Sequence, residues 1–472
     1  MVKKSTRSLN IFLLAMINVS AICSIKNWPL TAEYGFSSLF YFLAAGLFFF
    51  IPVSLVSAEL ATGWPQRGGV YIWIREAFGH RIGFLSAWLL WVENVVWYPT
   101  ILSFIAGTIA FSINPDLANH AGYMFIVIFI SFWAVTLINL LGMKISGWVS
   151  SLGAILGTFI PGAAIIVLGI SWIAQGNPSY IAFTWDAFIP SLGSPAQLSL
   201  LAGVLLGFAG MEMSAVHARE VKHPQRDYPR AILLSAMIII TLSILGTLAI
   251  AIVIPQREIS LVSGSMAAID HFLTAYHWEV LTPIVSFLIA LGALGTVSTW
   301  AAGPSKGLLA AAQDGDFPPV LHRINKNNMP VALLILQGII ISFLSAVFLF
   351  MPNVNSSFWI LLVLASQLYL IMYILMFLAA MTLRFKKPNT PRAYRIPGGL
   401  AGICFICGLG ILGAFFTLIV GFFPPEQLDT GNALIYISFL VLGILVFCAA
   451  PFIILLFKKP SWNEPIRFQD ED

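Results

Sequence analysis

The chain is 472 residues long, with 59% hydrophobic residues, only 9% charged residues and a mean hydropathy of +0.91. Soluble domains carry about 25% charged residues, so this composition excludes a soluble globular protein and indicates an integral membrane protein. Several apolar runs of about 20 residues favour membrane-spanning helices over the shorter strands of a barrel. The formal net charge of +4 is small, and the positions of the charges are more informative than their sum.

No motif in the sequence points to enzyme chemistry. The four cysteines, Cys23, Cys404, Cys407 and Cys448, show no zinc-binding spacing, and the chain contains neither a Walker A loop nor an H-E-x-x-H motif. The sequence GPSKG at 303–307 matches G-x-S-x-G, but a nucleophile elbow requires a strand–turn–helix context, and this match ends a predicted membrane helix. We therefore predict that the protein is not an enzyme, holds no cofactor or metal, and does not bind nucleic acid.

Apolar runs separated by charged or Pro/Gly-rich breaks predict twelve membrane-spanning helices. They lie at about 9–32, 36–61, 83–111, 121–141, 146–174, 197–217, 229–254, 279–312, 330–350, 356–384, 400–423 and 432–457. Of the 24 lysines and arginines, all except Lys26 and Arg257 lie at the termini or in loops on one side of this arrangement. The positive-inside rule then predicts cytoplasmic N- and C-termini in a multi-pass protein of the inner (or plasma) membrane.

The first predicted helix contains a break. Residues 18–24, NVSAICS, are rich in small polar side chains, and Pro29 follows shortly afterwards. Proline fixes its own φ and disfavours helical geometry at the preceding residue, Trp28. We therefore expect this helix to be interrupted.

The sixth predicted helix carries a second break. Residues 207–217, GFAGMEMSAVH, place two glycines and a carboxylate inside an apolar run of membrane-spanning length. Glycine lowers helix stability by about 1 kcal/mol relative to alanine, and an acidic side chain at mid-bilayer costs roughly 2.5–3.5 kcal/mol. Irregular backbone is tolerated where it lines a cavity within the protein, because its freed N–H and C=O groups can meet a ligand there. We therefore predict that this segment forms half of a substrate site.

Ser20 and Gly210 occupy corresponding positions, since each lies in the first helix of a five-helix block. Matched broken helices in two halves predict an inverted-repeat transporter with its site between the breaks. We divide the chain into a first repeat, a second repeat, two additional helices and a cytoplasmic tail, at 1–174, 175–384, 385–457 and 458–472. The alternative is that these serines and glycines merely allow helices to pack closely.

Three ionisable residues are candidates for function within the membrane. Glu212 either anchors the break, takes up a proton, or does both, and the structural alternative is a hydrogen-bonded brace. Glu93, which lies among aromatic residues in the third helix, either senses a proton or a cationic group or pairs structurally, for example with Lys26. Lys26 either attracts an acidic substrate or extends its ammonium toward the membrane surface, and we favour the second.

Aromatic residues in the eighth and tenth helices are candidates for the walls of an amino-acid-sized pocket. They are Trp300, Tyr369 and Tyr373. Aromatic rings supply shape and attract an ammonium group. With 37 Phe, 14 Trp and 12 Tyr in the chain, any single aromatic residue is more often a packing residue.

Several motifs together resemble those of the amino acid–polyamine–organocation superfamily, and in particular its bacterial glutamate/γ-aminobutyrate (GABA) antiporter branch. The segment FAGMEMSAVHAREVKHPQRDYP at 208–229 is similar to the family signature F-x-G-x-E…E-x-x-x-P-x-R-x-x-P. Further similar segments are WP at 28–29, GGVY at 68–71, WAAGPSKG at 300–307 and IPGG at 396–399. The resemblance covers most of the chain.

The resemblance implies an all-α membrane protein with ten core helices in two inverted five-helix repeats, broken first and sixth helices, and two additional helices. It implies alternating access, with the carboxylate and the amine of an amino acid held between the broken helices. Matched position by position, it implies the substrate-binding residues Ser20, Ala21, Ile22, Cys23, Phe208, Ala209, Gly210 and Glu212, with Trp300 and Tyr369 as pocket aromatics.

The sequence departs from the resemblance at two places. Proton-coupled relatives resemble one another in a fifth-helix lysine, whereas this chain has Gly157 near that position, which favours exchange. The tail after Lys458 is shorter than the C-terminal segment that closes the cytoplasmic path in enteric antiporters, which argues against pH gating of that kind. We predict an amino acid exchanger of glutamate/GABA type whose partners are small-molecule amino acids and membrane lipid. The alternatives are a proton-coupled amino acid importer that uses Glu93 or Glu212, and a transport-inactive amino acid sensor on the same fold.

Overall fold

A computed structural model of the protein is helical throughout. It describes residues 10–66, 68–142, 155–190, 193–212, 224–312 and 315–462. Within these ranges there is no β-strand, and the only bridge joins Ile324 to Pro330. The predicted all-α fold class is confirmed.

The principal helices of the described ranges follow one another along the whole chain. In order they are α1 (Ile11–Ile22), α2 (Trp28–Ala32), α3 (Ser38–Ala45), α4 (Ile51–Gly63), α5 (Val70–Phe78), α6 (His80–Ala110), α7 (Ala121–Leu140), α8 (Ile160–Ala174), α9 (Leu201–Gly207), α10 (Pro224–Val253), α11 (Gly264–Ala275), α12 (Thr282–Ala312), α13 (Val331–Ser345), α14 (Val354–Lys386), α15 (Gly399–Val420) and α16 (Ala433–Leu456). The π-helical segment Gly46–Phe50 joins α3 to α4, and a second one, Ile155–Phe159, precedes α8.

Ten helical segments of the described chain are long and apolar enough to cross a membrane. They correspond to the predicted second to fifth and seventh to twelfth spans, and most ends lie within a few residues of the predicted ones. The predicted start of the fifth span lies outside the described residues. The other two predicted spans, the first and the sixth, are the two whose helices are interrupted, so the structure agrees with twelve spans.

The first membrane segment is interrupted after Ile22, where α1 ends. Ser24 has an extended backbone, with φ −142° and ψ 127°, and the 3₁₀ turn Ile25–Asn27 then leads into α2. Pro29 lies in the first turn of α2, where its missing N–H removes no helical hydrogen bond. The predicted interruption is confirmed, but the expectation that Trp28 departs from helical geometry is wrong: Trp28 has φ −67° and ψ −39° and begins α2, and the chain leaves the helix earlier, after Ile22.

The sixth membrane segment is interrupted after Gly207, where α9 ends. Gly210 has φ +114°, a backbone conformation that residues with a side chain rarely adopt. A glycine is therefore needed to turn the chain out of the helix at this point. Glu212 ends the described part of this segment, and the predicted continuation from 213 to 217 lies outside the described residues.

Helices α6 and α14 form the centre of the molecule and are buried along most of their length. Helix α6 packs against α12 and α14, and α14 also packs against α9 and α15. Helix α16 instead exposes large apolar side chains such as Leu442 and Leu456, as a helix facing lipid does. The two broken segments therefore meet helices in the protein interior. The boundaries of the two inverted repeats stay a prediction.

Candidate substrate site between the broken helices

The two interrupted segments face one internal cavity. Its walls also come from α6, α12 and α14 and from the π-helical turn that precedes α8. The lining residues are Ile22, Cys23, Ser24, Asn27, Glu93, Asn94, Trp97, Ile101, Thr158, Phe159, Leu206, Gly207, Ala209, Thr296, Trp300 and Tyr369. Irregular backbone from two segments that are far apart in the sequence thus meets a set of polar and aromatic side chains.

The structure places the predicted site residues in different positions relative to this cavity. Those that line it are Ile22, Cys23, Ala209, Glu93, Trp300 and Tyr369. Gly210 lies beside it, since a Cβ built on Gly210 would be 3.7 Å from the Trp300 ring. Glu212 also lies beside it, since it accepts a hydrogen bond from the lining residue Tyr369. Ser20 and Ala21 belong to the last turn of α1, and their side chains lie outside the described part of the chain.

Phe208 was expected to bind substrate by its matched position, but its ring points into the helix packing. It lies 5.7 Å from the ring of Phe42 and 5.1 Å from that of Phe50, measured between centroids. The Phe208 side chain is buried and lines only a small adjoining cavity. Its position packs the end of α9 against α3 and the π-helical segment Gly46–Phe50.

Glu212 is held by two tyrosines of α14. The Tyr373 hydroxyl donates to Glu212 Oε2 at 2.6 Å, and the Tyr369 hydroxyl donates to Oε1. The backbone N–H of Gly210 donates to the Tyr373 hydroxyl at 2.9 Å. Both carboxylate oxygens are therefore hydrogen-bonded, and the break is tied to α14 through its backbone as well as through its side chain. This geometry is that of a brace.

Glu93 has a different environment, although it too is only 3% exposed. Its Oε2 accepts a hydrogen bond from Asn94 Nδ2 at 2.8 Å. Its Oε1 has no donor among the described residues, and the side chain lines the cavity. One oxygen of a buried carboxylate is thus available to whatever occupies the cavity.

The prediction that Lys26 extends toward the membrane surface is wrong. Its side chain is 1% exposed, and its ammonium lies 4.8 Å from the centroid of the Trp97 ring and 5.4 Å from that of Phe358. Within the described ranges, Lys26 Nζ has no hydrogen-bond partner, so it does not bond directly to Glu93. The 3₁₀ turn after the first break directs this side chain inward, between α6 and α14.

Gly157 leaves no room for a side chain. A Cβ at this position would lie 2.4 Å from the Cα of Gly292 in α12, closer than packed atoms approach. The π-helical turn Ile155–Phe159 therefore packs directly against α12 through two glycines. A lysine at Gly157 would require these two elements to separate.

Sequence reasoning missed several cavity residues, namely Asn27, Asn94, Trp97 and Thr158. A signal for Trp97 was present, because Trp97 follows Glu93 by four positions and residues at that spacing share one face of a helix. No comparable signal marks Thr158, because its place in the wall depends on how the π-helical turn packs against α12.

A second cavity, of about 590 Å³, lies at the far end of α2. Glu33, Tyr34 and Arg257 are among its lining residues, and Arg257 places it on the predicted outer face. Glu33 lies in the connection between α2 and α3, outside the membrane-spanning segments. Burial raises the pKa of the Glu33 carboxyl to about 8.

Comparison with known proteins decides the family. The family model described as amino acid permease matches residues 8–447. The chain belongs to this family. An uncharacterized transporter of Legionella pneumophila is 47% identical, over 95% of this chain and 97% of that protein. A glutamate/γ-aminobutyrate antiporter of Lactococcus lactis is 31% identical, over 95% and 90% of the two chains.

A probable agmatine/putrescine antiporter of Lactococcus lactis is more distant, at 26% identity over 78% of each chain. Members of the amino acid permease family and these relatives are transporters. Together with the many apolar helices, the match identifies the chain as a multi-pass membrane transporter for small-molecule amino acid substrates. The family and fold class predicted from the sequence are confirmed.

Proposed function

We propose that this amino acid permease is an exchanger that takes one amino acid in each direction by alternating access. The observation that carries the proposal is that both broken segments line the same cavity. Broken helices present backbone N–H and C=O groups that can hold the two ends of an amino acid. The pair named for the lactococcal relative, glutamate and GABA, is the first pair to test.

The backbone geometry suits an amino acid. A 3₁₀ turn and then α2 begin immediately after the first break, and the N-terminal end of a helix carries a partial positive charge that favours a carboxylate. Helix α9 ends at Gly207, and a C-terminal helix end favours an ammonium. These contacts use only groups that all amino acids share, so side-chain selection falls to the remaining walls of the cavity.

Exchange is favoured over proton coupling by the packing at Gly157, where no side chain fits. A proton-coupled importer that uses Glu93 or Glu212 is the second candidate, because both carboxylates are buried beside the cavity. In an exchanger, the returning substrate resets the carrier, and no ion is required to do so. We also propose that the protein resides in the inner membrane with both termini in the cytoplasm, because its lysines and arginines concentrate on that side.

Reconstitution into liposomes distinguishes these proposals. Labelled glutamate or GABA is added outside vesicles that contain unlabelled amino acid, or no amino acid, at equal pH. Uptake that requires the internal amino acid supports exchange. Uptake by empty vesicles under a pH gradient alone supports proton coupling instead. Binding without uptake of any amino acid under either condition would indicate a sensor and contradict both transport mechanisms.

A further inference from the structure

Glu93 offers a ligand-binding group that the backbone site does not supply. The side chain is 3% exposed and lines the cavity, and among the described residues only Asn94 donates to its carboxylate. The oxygen that Asn94 does not contact is accessible from the cavity, so a ligand can donate a hydrogen bond to it. The partner that best satisfies it is a cationic hydrogen-bond donor.

The other charges near the cavity do not cancel this preference. Glu212 has both oxygens occupied by tyrosine hydroxyls and does not line the cavity. The Lys26 ammonium also does not line the cavity, and it lies against Trp97 and Phe358 without an acceptor among the described residues. An incoming ligand therefore meets the Glu93 carboxylate directly, whereas the Lys26 ammonium, which is not part of the cavity wall, acts on the ligand only through its charge.

Within the aromatic wall, the Trp300 ring acts in the same direction, whereas the Trp97 ring already has the Lys26 ammonium 4.8 Å from its centroid. Trp97 lies one turn after Glu93 on the same face of α6, and its ring stands edge-on to the ring of Trp300, 6.3 Å away between centroids. Both rings line the cavity. Aromatic faces attract an ammonium and offer nothing comparable to a carboxylate.

We propose that Glu93 binds an ammonium group at the end of the substrate remote from its carboxylate, so that the substrates are amino acids with a terminal ammonium. GABA and lysine belong to this class. Glutamate does not, because its second carboxylate would face that of Glu93. The inference rests on the proposed exchange function and specifies its substrate. Of the pair named for the lactococcal relative, it selects GABA.

The test uses exchange of labelled GABA in proteoliposomes loaded with unlabelled GABA, with external lysine or glutamate as competitor. For the wild-type protein, lysine is expected to inhibit at a concentration at least tenfold lower than glutamate. In Glu93→Gln, the ratio of the two inhibitory concentrations should fall toward one, because the neutral amide no longer discriminates by charge. Glu33→Gln is the matched control, since it makes the same change at a carboxyl outside this cavity, and its ratio should equal that of the wild type.

Lys26→Met provides an independent variant should Glu93→Gln fold poorly. Methionine has a similar length and no charge, and Lys26 Nζ makes no hydrogen bond within the described chain that would be lost. Removing this positive charge near Glu93 should raise the preference for lysine over glutamate. A lower preference would contradict the proposal.

Ligand-induced thermal stabilisation of the detergent-solubilised protein tests the Glu93 contact separately from the exchange mechanism, because it requires binding but not transport. If glutamate stabilises and competes as well as GABA and lysine do, the assignment of Glu93 is overturned while exchange stands. If GABA and lysine stabilise the wild type and not Glu93→Gln, the assignment holds even when no exchange is detected. In that case only the exchange mechanism fails.

Discussion

Glu212 and Glu93 are both carboxylates buried in the membrane-spanning part of the protein, yet their hydrogen-bond partners differ. Two tyrosine hydroxyls donate to the Glu212 carboxylate, one to each oxygen. One of these hydroxyls also accepts a hydrogen bond from the Gly210 N–H. The region around Glu93 supplies one amide donor and otherwise opens onto the cavity. Burial by itself therefore does not identify a ligand-binding acid. The two carboxylates differ instead in the number of hydrogen bonds that each already makes within the described part of the protein.

The largest expected effects are at the second break, and the first of them is at Glu212. In Glu212→Gln, an NH2 group replaces one of the two carboxylate oxygens. The tyrosine hydroxyl that donates to that oxygen then loses its acceptor. Such a loss costs about 1–3 kcal/mol, or roughly a 5- to 150-fold change in a rate that depends on this geometry. We expect exchange to fall by about that factor or more while the protein remains monodisperse in size-exclusion chromatography. Near-normal exchange would show that Glu212 is not the brace of the break.

Gly210→Val tests the same break through the backbone. A β-branched residue at φ +114° is strongly strained, so the backbone between α9 and Glu212 must change its conformation. Exchange should therefore be abolished. Gly307→Ala is the control, because this exposed glycine of α12 has open space where a Cβ would lie. Its exchange rate should stay within about twofold of the wild type, as expected for a surface substitution.

A third buried carboxylate, Glu59, sharpens the comparison because its partners are arginines. Its oxygens lie 3.2 Å from Arg384 Nη2 and 3.4 Å from Arg392 Nε. Glu59→Gln would leave two buried guanidinium groups without a counter-charge, and breaking a buried ion pair costs about 3–5 kcal/mol. We expect a clearly lower melting temperature in detergent. Glu76→Gln, which removes a partly exposed pair with Lys387, should have little effect.

Substituting the two tyrosines that donate to Glu212 should have effects of different size. Tyr373→Phe removes a donor to Glu212 and also leaves the Gly210 N–H without its acceptor, whereas Tyr369→Phe removes only a donor. A buried unsatisfied N–H costs about 1–3 kcal/mol, so Tyr373→Phe should reduce both melting temperature and maximal exchange rate more. Because Tyr369 lines the cavity, its variant should mainly raise KM. The reverse order would contradict the bracing role.

The smallest expected effect concerns Glu33, a carboxyl outside the membrane. Burial raises its pKa to about 8 in the folded protein, so the folded state binds more protons than the unfolded state between its ordinary pKa and pH 8. Its contribution to stability is therefore fully present at acidic pH and is lost as pH rises toward 8. The melting temperature should fall by a few degrees between pH 5 and 8. In Glu33→Gln, this fall in melting temperature with pH should disappear. Glu426 is an exposed residue of the same cavity, and Glu426→Gln should retain the fall.

Much of the architecture follows from local sequence. Runs of apolar residues specify where helices cross the membrane, because an unpaired backbone is too costly in lipid. Pro29 and Gly210 mark the regions in which the first and sixth helices are interrupted, since Pro29 lies in the first turn of the helix after the first break and Gly210 adopts the positive φ that follows the second. These are properties of single residues and short windows, so they need no knowledge of the fold.

The tertiary structure decided which buried polar groups are satisfied. Nothing in the neighbourhood of Glu212 reveals that Tyr369 and Tyr373 reach it from α14, or that Lys26 turns inward against Trp97. Nor does the sequence reveal that one oxygen of Glu93 stays free beside the cavity. Hydrogen bonds between helices join residues that are far apart in the chain, and their partners depend on how helices rotate and pack. The positions of the charges can therefore be read from the sequence, whereas their burial, as at Lys26, and their hydrogen-bond partners require the fold.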